Sequence, residues 1–161
     1  MKKNSVRTLT LAALIAALYV ILTLVSNALG LAVGPLEFRF SEALCILPVF
    51  TPAAVPGLFC GCLVANLLCG AHVLDVIFGS LATLLGAMGT YWLRKRRFLP
   101  YLSPVFFNSL IIPPILYFSY GFQDQAYLLL LFFFVLGEVV NAGLLAALLR
   151  RALTPFRDQL K

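Results

Sequence analysis

The sequence predicts an all-α fold: a polytopic membrane protein whose six transmembrane helices form one compact bundle. Three observations carry this expectation. Hydrophobic residues make up 62% of the chain and charged residues only 11%, against about 45–50% and about 25% in soluble domains. The mean hydropathy is +1.01, and spans of about 20 apolar residues each recur along 161 residues. The basic residues fall in three clusters beside apolar runs: Lys2, Lys3 and Arg7; Arg94 to Arg97; and Arg150, Arg151, Arg157 and Lys161. Such clusters mark the cytoplasmic ends of spans under the positive-inside rule. The net charge of +6 therefore reads as a topology signal, and no nucleic-acid partner is expected.

The elements follow in order. Met1 to Arg7 is polar and basic, and Thr8 to Leu29 is apolar. That run exceeds the roughly 7–15 apolar residues of a signal peptide, so it is the first span. It carries two small-xxx-small pairs, Ala12 with Ala16 and Ala13 with Ala17, which let another helix approach closely. Gly30 to Pro35 is turn chemistry, with Gly34-Pro35 a strong breaker. Ala43 to Ala71 is apolar but interrupted by Pro48, Pro52 and Pro56, each lacking a backbone donor. A single crossing there would leave Arg94 to Arg97 outside. Two crossings, Glu42–Phe50 and Ala53–Gly70, keep the basic clusters together, the first crossing being short.

The fourth span, Val76 to Leu93, places Gly79, Thr83, Gly86 and Thr90 on one face, and Tyr91 and Trp92 mark the inner interface. The fifth runs from Tyr101 to Tyr120, with a kink expected at Pro113-Pro114. Gly121 to Gln125 is an outer loop, and the sixth span runs from Ala126 to Leu149. Both termini are then cytoplasmic. Residues 1–161 form a single transmembrane domain with no internal repeat.

Into this apolar chain the stretch Glu37-Phe-Arg-Phe-Ser-Glu42 places three charges. A charge at a span centre costs roughly 2.5–3.5 kcal/mol on insertion scales, so charges near a bilayer core usually serve a ligand, an ion or a partner. Glu37, Glu42, Asp75 and Asp124 are expected near the outer face. Glu138 falls mid-span with Asn141 one turn on, Asn66 in the third span and Asn108 in the fifth. The substrate-binding set is thus Glu37, Arg39, Glu42, Asn66, Asp75, Asn108, Glu138 and Asn141, lining a pocket open to the outside and floored by Glu138. Plainer roles stand beside this. The asparagines can be interhelical glue, Glu42 and Asp75 can cap helices, and Arg39 can pair structurally with Glu37 or Glu42.

Cys45, Cys60, Cys62 and Cys69 read as free packing thiols, and no metal or cofactor is expected. There is no phosphate-binding Gly-rich loop and no catalytic Cys/His or Ser-His-Asp set. The chain is expected not to be an enzyme.

The blocks Glu37-Phe-Arg-Phe-Ser-Glu-Ala-Leu44, Gly57-Leu-Phe-Cys-Gly-Cys-Leu-Val-Ala-Asn66, Asp75-Val-Ile-Phe-Gly-Ser-Leu-Ala-Thr83 and Gly137-Glu138 resemble the QueT family. Its members look like substrate-binding (S) components of energy-coupling factor transporters, here for queuosine precursors. The family motif usually begins with Gln, where this chain has Glu37. The resemblance implies a subunit of the bacterial plasma membrane that captures substrate outside and docks on a transmembrane coupling subunit. Two cytoplasmic ATPases would drive release inward. It also implies that Ala12, Ala13, Ala16 and Ala17 dock on that partner. The implied ligand is a 7-deazaguanine carrying an aminomethyl group. Two acids among Glu138, Asp75 and Glu42, a donor such as Arg39, and Phe38, Phe40 or Tyr117 for stacking suit that ligand. Another cationic heterocycle or vitamin, a stand-alone proton-coupled carrier using Glu138, and a non-transporting scaffold are the rivals.

Overall fold

The computed structural model describes residues 2–32, 37–119, 121 and 126–157, with side chains from residue 6 onward. Gly34-Pro35 and Asp124, singled out above, lie outside the described residues. Every described element is helical. Helix α1 spans Lys2–Ala28, followed by a 3-10 helix over Phe40–Val49 and α2 over Ala54–Leu68. A π turn over Asp75–Gly79 opens α3, Ser80–Trp92, and α4 covers Leu99–Ser119. The last rod runs through Tyr127–Phe156. It consists of α5 over Tyr127–Glu138, a π stretch over Val139–Leu145, α6 over Ala146–Leu153 and a closing 3-10 turn.

Among the described residues three helices are long and apolar enough to cross a membrane: Val6–Ala28, Leu99–Ser119 and Tyr127–Phe156. Phe40–Val49 and Ala54–Leu68 are shorter apolar helices. The surface is correspondingly apolar, with Leu14, Phe106, Phe118 and Leu144 all more than half exposed. The acids Glu42, Asp75 and Glu138 are buried instead. Charge inside and oil outside is the arrangement of a protein solvated by lipid.

The region from Ala43 to Ala71 does divide at its prolines, but its first half is a 3-10 helix. Ten residues rise about 20 Å in that form against about 15 Å as α-helix, so a short segment reaches further. Every residue from Ser41 to Val49 except Ala43 is buried. This helix touches α1, α2, α3, α4 and α6, and so forms the post around which the bundle closes.

Close approaches fix the rest. A Cβ at Gly57 would lie 2.7 Å from the Ala12 carbonyl oxygen, and one at Gly61 would lie 3.0 Å from Ala16 Cα. Ala12 and Ala16 therefore face α2, while Ala13 and Ala17 are exposed. On α3, a Cβ at Gly86 would come within 2.9 Å of Pro104 Cα. Helix α4 runs through Pro104, Pro113 and Pro114 without ending. Pro104 cannot bond the Pro100 carbonyl, and Thr90 Oγ1 donates to that oxygen at 3.0 Å. Helices α1 and α2 both end in a left-handed glycine, Gly30 and Gly70. In each case the next N–H reaches back five residues, Leu31 to Ser26 and Ala71 to Asn66.

Candidate functional site

The polar residues of α1 set up the site. Tyr19, Thr23 and Ser26 lie at i, i+4 and i+7 on one face of an otherwise apolar helix, and all three are buried. Thr23 Oγ1 donates to Ser41 Oγ at 2.8 Å, and Ser26 Oγ accepts the Phe40 N–H at 3.0 Å. Tyr19 Oη donates to Glu42 Oε1 at 2.5 Å. The start of the 3-10 helix is thereby held against α1, and Glu42 is aimed into the bundle.

Two linked polar groups result. In the first, Arg39 forms an ion pair with Glu37 and a second with Asp75 Oδ2 at 3.7 Å. Its Nη1 donates to Asn66 Oδ1 at 3.0 Å, and Asn66 Nδ2 donates to the Asp75 carbonyl at 3.3 Å. Gly79 makes room for this, since a Cβ there would lie 2.9 Å from Asp75 Oδ1. In the second group Glu42 Oε2 accepts from Cys45 Sγ and from Asn108 Nδ2, each at 3.2 Å. The same Asn108 nitrogen donates to Glu138 Oε2 at 3.3 Å. Asn141 joins through the main chain, donating to the Glu37 carbonyl at 3.2 Å. Glu37 itself sits at φ +30°, a conformation side chains rarely adopt. The π stretch after Glu138 re-aims this part of the helix, so Glu138 and Asn141 meet different partners rather than sharing one face.

All eight residues singled out in the sequence therefore fall in these two neighbouring groups, which together hold four acids and one arginine. Several details differ from expectation. Glu42 is buried and makes no cap bond; it shares Asn108 with Glu138. Asp75 turns to Arg39. Tyr117 stacks edge-on with Tyr127 and does not line the cavity, whose aromatic wall is Phe134. Two cysteines do more than pack: Cys45 donates to Glu42, and Cys62 Sγ accepts from Thr83 Oγ1 at 3.3 Å.

Among the described residues the cluster encloses little space. The space between Arg39, Glu42, Asn108 and Glu138 admits about 10 Å³ for the centre of a water-sized sphere, the room of roughly one water. Small-molecule pockets run to about 300–1,000 Å³. The cluster instead pairs with itself, and incompletely. Arg39 Nε, Asn108 Oδ1 and Asn141 Oδ1 are buried without a hydrogen-bond partner among the described residues, which native interiors rarely tolerate.

Tyr19 was not anticipated, and Gly79 was read only as part of a small-residue face; the i, i+4, i+7 polar spacing on α1 is the signal that marks Tyr19. Tyr19→Phe leaves Glu42 Oε1 unpaired. It is expected to lower unfolding stability in detergent by about 1.5–3 kcal/mol; an unchanged melting temperature would contradict this.

An apolar helical shell around a buried, acid-rich polar cluster defines a polytopic membrane protein built to hold polar groups out of water. The profile of the QueT transporter family matches residues 9–155, and the chain belongs to that family. It is 38% identical over 84 residues to the queuosine precursor transporter QueT of Lactococcus lactis subsp. cremoris (strain MG1363). That alignment covers 52% of this chain and 49% of the relative, so the chain matches about half the length of this curated relative. No solved structure matches.

Proposed function

We propose that the chain is the substrate-binding subunit of an ATP-driven importer for a queuosine precursor, a 7-deazaguanine carrying an aminomethyl group. In this reading it is one domain that crosses the bacterial plasma membrane six times with both termini cytoplasmic. It captures ligand outside, docks on a transmembrane coupling subunit, and leaves ATP hydrolysis to two cytoplasmic partners. Family membership supports transport, and the substrate for which the Lactococcus relative is named supports the ligand.

The observation that carries the reading is the imbalance of four acids, three of them buried and Glu37 half-buried, against one arginine. Such a site favours a cation rich in N–H donors. The guanine edge offers two parallel N–H groups that a carboxylate accepts together, and the ammonium takes a second carboxylate. The ligand carbonyl takes a donor, for which Arg39 or the Asn108 amide is placed. Entry requires the Glu37–Arg39–Asp75 pairing to open, exchanging internal contacts for contacts to the guest. Purified protein should bind the aminomethyl deazaguanine saturably at micromolar concentration or below, with mass spectrometry identifying the molecule carried through purification. Absence of binding would reject the reading.

A proton-coupled carrier acting alone is the second reading, favoured by the two carboxyls of Glu42 and Glu138 on one asparagine amide. Uptake by the chain alone that a protonophore abolishes would select it.

For docking, the exposed pair Ala13 and Ala17 is the better placed. Ala12 and Ala16 are half-buried against α2, and with Ala13, Pro56 and Cys60 they line a groove of about 760 Å³. Ala13→Trp is expected to leave ligand binding intact and abolish transport with the partner subunits. Ala16→Trp is expected to weaken both, because it wedges α1 from α2. Equal loss of binding in the two variants would assign Ala13 to internal packing.

A further inference from the structure

Another groove, with a volume of about 500 Å³, lies between the start of α4 and the last rod at the π stretch and α6. Its apolar walls are Phe98 and Leu102 on one side and Gly143 and Ala147 on the other. The floor is open at Gly143, where an added Cβ would meet nothing nearer than Val139 Cγ1 at 3.9 Å. One end alone is charged. There Arg150 Nη1 donates to the Arg97 carbonyl at 3.1 Å and to Tyr101 Oη at 3.4 Å. The Arg150 guanidinium carbon stands 5.6 Å from the Tyr101 ring centre, and that of Arg97 stands 5.2 Å from the Phe98 ring centre. Both cations are thus held at the rim by aromatic faces. Among the described residues neither has a carboxylate partner, the two ion pairs both belonging to Arg39.

We propose that this groove holds one anionic phospholipid of the phosphatidylglycerol type, its phosphate between Arg97 and Arg150 and one acyl chain along Gly143 and Ala147. The match is one of charge and shape. A phosphodiester joined to a hydrocarbon chain is negative at one end and apolar beyond it, and the groove is positive at one end and apolar beyond it. Arginine forks suit phosphate oxygens, and basic pockets between helices at the cytoplasmic side are a recurrent way of holding anionic head groups. The inference needs the membrane setting only and is independent of what the central cluster binds.

The test is native mass spectrometry of the full chain in detergent with equal phosphatidylglycerol and phosphatidylcholine, with inorganic phosphate in a separate arm. The wild type is expected to retain phosphatidylglycerol preferentially and to release little of it to millimolar phosphate. The double variant Arg97→Gln, Arg150→Gln is expected to cut that preference by roughly tenfold to thirtyfold. Gly143→Leu fills the groove while leaving every charge in place, and is expected to lower retention of the lipid on its own. Retention unchanged in both would overturn the proposal. So would Gly143→Leu leaving lipid bound while breaking the complex with a protein partner, since the occupant would then be that partner.

Discussion

Arg39→Met is expected to cost about 3–5 kcal/mol of stability, the scale seen when one member of a buried ion pair is removed and the others stay. The reason is arithmetic of charge. Arg39 answers both Glu37 and Asp75 and also ties Asn66 into the cluster; methionine fills most of the volume and supplies none of the donors. Thermal unfolding in detergent reads the effect. Ligand binding is expected to vanish with it, because the acids would be drawn to whatever cation or proton is at hand. Arg39→Lys separates charge from geometry. It restores a cation but not the fork that reaches Asn66 and two carboxylates, so partial recovery of stability with poor recovery of binding is expected. Full stability in Arg39→Met would mean that the pairing contributes nothing to the fold.

Glu138→Gln should weaken binding of the aminomethyl deazaguanine at least tenfold, since a hydrogen bond to a charged group contributes roughly 1.5–3 kcal/mol. The fold should persist, because the glutamine carbonyl can still accept from Asn108 as Glu138 does now at 3.3 Å. That contrast distinguishes a ligand contact from a structural one. Lost stability with retained affinity would place Glu138 in the scaffold instead. Glu42 makes the informative comparison. It is tied to Tyr19, Cys45 and Asn108, so Glu42→Gln should lose more stability than Glu138→Gln for the same loss of charge.

Much of this was legible in the sequence because a bilayer makes polarity expensive. Glu138 and Asn108 stand out in apolar helices, and their partners had to be other polar residues in other helices. Division of the Ala43–Ala71 region followed from Pro48 and Pro52, which withhold backbone donors. The 3-10 geometry of Phe40–Val49 did not follow, because it depends on the reach its neighbours demand rather than on local preference. The bond from Tyr19 to Glu42 did not follow either, because sequence order shows only that Glu42 follows a turn. Tyr19 was overlooked because a tyrosine in an apolar helix reads as packing unless Thr23 and Ser26 are counted with it. The two alanine pairs looked equivalent by spacing. Only the glycines of α2, which meet Ala12 and Ala16, separate the inner pair from the outer.

The central claim is that four acids, three of them buried, and one arginine are kept in this bundle for a cationic, donor-rich guest. Equilibrium titration of the purified protein with aminomethyl 7-deazaguanine, beside adenine and thiamine as competitors, tests it most directly. Saturable binding of the deazaguanine at micromolar concentration or tighter, not displaced by the competitors and weakened in Glu138→Gln, is the predicted result. No binding of any of the three by folded protein would contradict the claim and leave the cluster as structural glue.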